Sequence, residues 1–65
     1  MNITDFAAAV APYINLNNAR EYAAQTDKYL WVEYQILDGL DIRATDARVN
    51  WVEDQFDAVL ASANL

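Results

Sequence analysis

The chain has 65 residues and a net charge of −6, and it contains neither cysteine nor histidine. These features exclude a disulfide framework and a cysteine or histidine zinc site, and they argue against a phosphate-binding surface, which needs basic residues. A domain this small buries only about 60% of its unfolded surface. We therefore expect a single helical domain over 1–65 that gains stability by forming a homo-oligomer.

The first predicted helix covers about 4–14. Thr4 and Asp5 form a start signal, because a hydroxyl can cap the helix and a carboxylate favours its positive end. Pro12 lacks a backbone N–H and should kink or end this helix. The apolar residues share one face at helical spacing: Ile3, Phe6, Val10 and Ile14.

The second predicted helix covers 18–38 and is the longest. Asn18 with Glu21 fits a capping box, and Gly39 is placed where a left-handed C′ residue usually follows a helix. The stripe predicted to face the core consists of Tyr22, Ala23, Thr26, Tyr29, Leu30, Ile36 and Leu37, with Tyr34 at its edge.

Two alternatives remain open for this stretch. Thr26 and Asp27 form another start signal, so the helix can break there into two. In addition, 30–37 can be interpreted as a strand, with one face formed by Leu30, Val32, Tyr34 and Ile36 and the other by Trp31, Glu33, Gln35 and Leu37. The second alternative is an α+β fold with a hairpin at 29–45, although a lone hairpin is marginally stable in water.

The last predicted helix covers 45–62 and begins at Thr45 and Asp46. Its apolar residues recur at helical spacing: Val49, Val52, Phe56, Val59, Leu60 and Ala63. The three predicted helices are joined by short links, which favour neighbouring helices that pack side by side. The sequence thus predicts an all-α fold, a small three-helix bundle.

Two tryptophans do not fit the predicted stripes. Trp31 and Trp51 each lie opposite the apolar face of their own helix, and both fall roughly 10 Å from the turn between those helices. Tryptophan is enriched at protein interfaces, so these residues predict a contact surface. The alternative is that the first helix covers one of them and completes the core. The candidate surface comprises Trp31, Trp51, Val32, Ala47, Asp54 and Ala58.

The residue types argue against catalysis. With no histidine or cysteine, and with Ser62 as the only serine, a nucleophile and its base cannot be assembled. The single glycine, Gly39, cannot form a glycine-rich phosphate loop. We therefore expect a protein that is not an enzyme and has no catalytic residues, no cofactor and no metal.

The beginning of the chain lacks the basic residues of a secretory signal, and no run of about 20 apolar residues is present. These features predict a complete small reading frame whose product is cytoplasmic, with no membrane partner. The net negative charge likewise predicts no direct binding to nucleic acid.

Three functional hypotheses follow. The first is a small acidic protein that acts through protein–protein interaction or self-association, using the surface around the two tryptophans. The second is an inhibitor whose carboxylates mimic nucleic-acid phosphates and bind a basic DNA- or RNA-binding protein. The third is a structural subunit of an assembly with no other partner.

Overall fold

The computed structural model describes residues 1–64, and the helices in it are joined by short turns. A 3₁₀ turn follows the first helix, and the third continues without interruption into a π-helical segment and a 3₁₀ turn. In chain order the elements are α1 (Ile3–Val10), a 3₁₀ turn (Ala11–Tyr13), α2 (Leu16–Ala23), α3 (Lys28–Val32), a π-helix (Glu33–Leu37), a 3₁₀ turn (Asp38–Leu40) and α4 (Asp46–Ala63).

The all-α prediction is confirmed. The alternative with a hairpin at 29–45 is wrong, since 28–40 is helical throughout and no strand occurs within residues 1–64. Over the same residues four α-helices replace the predicted three, because the long second helix is divided.

A side chain caps the start of every α-helix in the described chain. In each case its oxygen accepts the backbone N–H three residues further on, which satisfies a donor that the first helical turn leaves without a partner. The pairs are Asn2 with Asp5 at 2.8 Å, Asn15 with Asn18 at 2.8 Å, Asp27 with Leu30 at 3.1 Å, and Thr45 with Arg48 at 3.2 Å. The predicted start at Thr45 is confirmed.

The predicted caps at Thr4 and Asn18 are wrong, because an asparagine two or three residues earlier takes the position. The earlier start lengthens each helix by further backbone hydrogen bonds. In α2, for example, the Ala19 N–H donates to the Asn15 carbonyl at 2.9 Å. Asn18 then uses its side-chain amide to donate to the Tyr13 carbonyl at 2.9 Å, which ties α2 to the preceding turn.

The break between α2 and α3 corresponds to the alternative at Thr26 and Asp27. Polar side chains complete the end of α2: the Gln25 amide donates to the Glu21 carbonyl at 2.9 Å, and the Lys28 ammonium donates to the Gln25 carbonyl at 3.0 Å. Asp27 then starts α3. The backbone groups at the end of α2 and at the start of α3 therefore have hydrogen-bond partners, although the helix is interrupted between them.

The break changes which residues face the core. On one unbroken α-helix Val32 would lie about 80° around the axis from Tyr22, which is ten residues earlier. In the structure both are buried, with 0% and 3% of their surface exposed. Leu30, predicted to face the core, is instead 44% exposed.

Pro12 acts as the sequence predicts. The α1 helix ends at Val10, and Pro12 lies within the first positions of the following 3₁₀ turn, where its missing N–H leaves no helical bond unmade. The chain then passes through an extended Asn15 into α2.

The helical stretch that begins with α3 ends in a Schellman motif. The Ile42 N–H donates to the Leu37 carbonyl at 3.0 Å, and the Asp41 N–H donates to the Asp38 carbonyl at 3.0 Å. Asp41 occupies the left-handed position, with φ of 56° and ψ of 38°. The prediction that Gly39 takes this position is wrong, since Gly39 lies inside the 3₁₀ turn and has a negative φ.

Gly39→Ala should therefore stabilise the protein by about 0.4–1 kcal/mol, because alanine restricts the unfolded chain and fits the native backbone. A Cβ at this position would meet no atom within 4 Å. Urea unfolding followed by circular dichroism measures the change. Asp41→Ala is the matched control and should destabilise by about 1 kcal/mol, since a left-handed alanine is strained. A loss of stability in Gly39→Ala would contradict this assignment of the turn.

All four helices contribute to one core. Phe56 lies at its centre, with no exposed surface and with its ring 5.2 Å from Tyr22 and 5.9 Å from Trp31 between centroids. The fully packed residues are Phe6, Val10, Ala19, Tyr22, Val32, Ile36, Leu37, Val49, Val52 and Phe56.

Candidate interaction surface

Trp31 lies at the edge of the core. Its ring makes edge-on contacts with Tyr22 on α2, at 6.4 Å, and with Phe56 on α4, at 5.9 Å. Edge-to-face pairs at this range are favourable beyond the area they bury. The half-buried Trp31 thus joins α2, α3 and α4, and its packing within the chain accounts for much of its apolar surface.

Trp51 lies on the other side of α4, where it meets α1. Its ring packs edge-on against Phe6, with the centroids 5.6 Å apart. The alternative that the first helix covers one tryptophan therefore applies to Trp51, but the cover is partial, and Trp51 remains half-buried.

The structure does not bring the six predicted surface residues together. The ring partners of Trp31 and Trp51 belong to different parts of the core. Placing Val32 on the surface is wrong, because the break before α3 turns it inward, and its side chain is fully buried. The remaining residues, Ala47, Asp54 and Ala58, are exposed on α4.

An open cleft of about 360 Å³ separates the first turn of α1 from the first half of α4. Two of the predicted residues, Ala47 and Trp51, lie on its α4 side together with Arg48. We call it the α1–α4 cleft, and its mostly apolar lining consists of Met1, Asn2, Ile3, Phe6, Ala47, Arg48 and Trp51.

At this cleft the apolar face of α1 extends past the part of the helix that the core covers. Phe6 and Val10 are 2% and 0% exposed, but Ile3, at helical spacing on the same face, is 60% exposed, and Met1 is 64% exposed. The sequence pattern placed Ile3 on the same face as Phe6 and Val10. Periodicity gives the face of a helix but not the point at which neighbouring helices stop covering it.

Charges of both signs surround this cleft. Arg48 lines it, and its guanidinium donates to the Arg43 carbonyl at 2.8 Å. Asp5 lies on the first turn of α1. Asp46 begins α4 and accepts a hydrogen bond of 2.8 Å from the Tyr29 hydroxyl. Asp46 therefore faces α3, and the charges beside the α1–α4 cleft are those of Arg48, the Met1 amino group and Asp5.

A second tyrosine holds a carboxylate two turns further along the same side of α4. The Tyr22 hydroxyl donates to Glu53 at 2.9 Å, which joins α2 to α4. Burial raises the pKa of Tyr22 well above its ordinary value of 10.0, and the neighbouring charges of Glu53, Asp57 and Asp54 raise it further. The hydrogen bond to Asp46 similarly raises the pKa of Tyr29.

A further apolar surface lies on α3 and its π-helical extension, facing away from the core. Leu30 is 44% exposed and Tyr34 is 60% exposed, four residues apart on one side of the helix. Asp27 and Asp38, also exposed, lie at the two ends of this line. We call these four residues the α3 outer face. The sequence pattern did not reveal it, since Leu30 was predicted to face inward.

A polar cleft of about 390 Å³ lies beside the end of this helix, where Glu33, Asp38 and Asp41 approach Arg43. Over residues 1–64 the acidic side chains form no group that could hold a metal ion. Every buried side-chain nitrogen and oxygen in the same range has a hydrogen-bond partner.

The described helices also include none that is long and apolar enough to cross a membrane. Comparison with models of protein families, with curated proteins and with solved structures gave no match.

Proposed function

We propose that this protein acts without catalysis, by protein–protein contact, and that its contact surface is the α1–α4 cleft, occupied by a second copy of the chain. The observation that supports this proposal most strongly is the exposure of Ile3 and Met1 beside the half-buried Trp51. Burying exposed apolar surface of this kind against another protein lowers the free energy. An aromatic residue within such a surface is typical of the residues that anchor an interface.

The size of the chain favours a second copy as the occupant. A 65-residue domain without disulfides has a small core, and self-association adds buried apolar area without any additional sequence. A stable pair buries at least about 600 Å² on each partner, which is about a seventh of the 4219 Å² accessible surface of this chain. Burial on this scale has to extend from the α1–α4 cleft over the neighbouring surface of α1 and α4.

The charges at the cleft also suit a symmetric pair. In a twofold interface the same surface meets itself, so it must carry both signs to avoid repulsion. Arg48 and the amino group of Met1 supply positive charge at the cleft, and Asp5, in the adjoining first turn of α1, supplies negative charge. A pair formed at this end keeps the carboxylates of Glu53 and Asp57, further along α4, away from the interface.

Ile3→Gln should weaken self-association at least tenfold, because it removes apolar area from the cleft and leaves the buried core intact. Sedimentation equilibrium between about 1 µM and about 1 mM measures the dissociation constant directly. Leu30→Gln is the matched control: it makes a similar change on the α3 outer face and should leave the dissociation constant unchanged.

Circular dichroism of both variants checks that the monomer fold is retained. The proposal would be contradicted by a wild-type protein that stays monomeric over the whole range, or by equal weakening in Ile3→Gln and Leu30→Gln.

A further inference from the structure

We propose that the α3 outer face binds a basic amphipathic helix of another protein, with Leu30 and Tyr34 covering its apolar side and Asp27 and Asp38 pairing with its basic residues. This site is separate from the α1–α4 cleft and does not depend on self-association.

The apolar part of the face is unusual for a surface helix. Leu30 and Tyr34 form a pair one turn apart, with 44% and 60% of their surface exposed. Tyr34 belongs to the π-helical segment, a winding that is rare and frequent at functional sites. Tyrosine also offers a ring face on which an arginine or lysine can stack.

The charges around the pair determine the sign of the partner. Over 27–41 the chain has four carboxylates, and the cations near them are Lys28 and, beside Asp38, Arg43. The Lys28 ammonium is held by the Gln25 carbonyl at the end of α2, at 3.0 Å, and the carboxylates still outnumber the cations four to two. The carboxylates of Asp27 and Asp38 therefore attract a positively charged segment and repel an acidic one.

The spacing of the face describes the partner further. Asp27 and Asp38 are eleven residues apart on one helical stretch, roughly 16 Å along the axis. A partner helix that lies along this face needs two basic residues about eleven positions apart, with apolar residues on the same side between them. Pairing of this kind sets both the sign and the register of binding.

The test uses a synthetic helical peptide of about 18 residues, with two arginines eleven positions apart and two leucines between them on one face. Titration of the ¹⁵N-labelled wild-type protein, followed by amide chemical shifts, should give saturable changes centred on Leu30 and Tyr34. A peptide with glutamates in place of the arginines should give none. The shifts should remain in Ile3→Gln, which separates this site from the α1–α4 cleft.

Two variants test the residues. Tyr34→Ser should weaken binding of the arginine peptide about tenfold, as expected for an aromatic contact residue. The double variant Asp27→Asn with Asp38→Asn should weaken it about three- to tenfold, while the asparagine introduced by the first substitution still caps α3. The control is Asp5→Asn with Asp54→Asn, which changes the net charge equally at exposed sites outside the face and should weaken binding less than about twofold.

Three results would overturn the proposal. The first is no saturable shift up to about 1 mM peptide. The second is a set of shifts centred elsewhere, for example on Glu53 and Asp57 of α4. The third is equal weakening by the two double variants, which would mean that the peptide responds only to the net charge of the chain.

Discussion

Phe56→Ala should lower the free energy of unfolding by about 3–5 kcal/mol, the usual effect of removing a buried aromatic ring. Phe56 has no exposed surface and touches the rings of both Tyr22 and Trp31, so its loss leaves a cavity shared by α2, α3 and α4. A domain of this length has a total stability of about 3–10 kcal/mol. The variant should therefore be largely unfolded or close to it.

Urea unfolding, followed by circular dichroism and by tryptophan fluorescence, measures this loss. Asn50→Ala is the matched control, an exposed position on the same helix, and should change stability by less than about 0.5 kcal/mol. A loss in Phe56→Ala below about 1.5 kcal/mol would mean that the three helices do not share one core around this ring.

The second large effect concerns alkaline pH and Tyr22. Because the folded protein holds the pKa of Tyr22 above its unfolded value of 10.0, the neutral hydroxyl is favoured in the fold. The stability gained from Tyr22 is therefore fully present below pH 10 and is lost as pH rises towards the folded pKa. The loss is about 1.4 kcal/mol for each pH unit above 10, or about 2 kcal/mol at about pH 11.5.

Tyr22→Phe separates this effect from other alkaline titrations. At neutral pH the variant should be about 1–2 kcal/mol less stable than the wild type, because it lacks the hydrogen bond to Glu53. Between neutral pH and about pH 11.5 the wild type should lose about 2 kcal/mol more than the variant. The raised pKa of Tyr29 acts equally in both proteins. Equal losses in the two proteins would contradict the folded-state pKa of Tyr22.

The helical class and the last helix could be predicted because their signals are strong and local. Thr45 caps α4 as predicted, and Val49, Val52 and Phe56 are buried as their spacing indicates. Pro12 ends the first helix because its ring removes the backbone N–H and clashes with the preceding helical turn. These features depend on one residue or one helix and need no knowledge of what packs against it.

Other features depended on a choice between similar residues. Asn2 and Thr4 are both capping residues, as are Asn15 and Asn18, and the longer helix was formed in each case. Glycine is the usual left-handed residue after a helix, but Asp41 takes that position here. Aspartate tolerates a left-handed backbone better than most residues, so the ending of this helix was not readable from Gly39 alone.

The candidate surface depended most on the tertiary structure. Two of the six residues of the predicted surface, Ala47 and Trp51, line the α1–α4 cleft, where Trp51 also packs against Phe6 of α1. The break at Thr26 and Asp27 resets the phase of the following helix, and it therefore buries Val32 and exposes Leu30. Whether Ile3 is buried depends on how far α4 extends beside it. The sequence pattern of α1 carries no information on that length.

The most direct test of the proposed self-association is an isotope-filtered nuclear Overhauser experiment on an equal mixture of labelled and unlabelled chains. We expect contacts between chains from the methyl groups of Ile3 to the indole ring of Trp51 in the α1–α4 cleft. Contacts between chains at Leu30 and Tyr34 instead, or none at about 1 mM protein, would contradict this expectation.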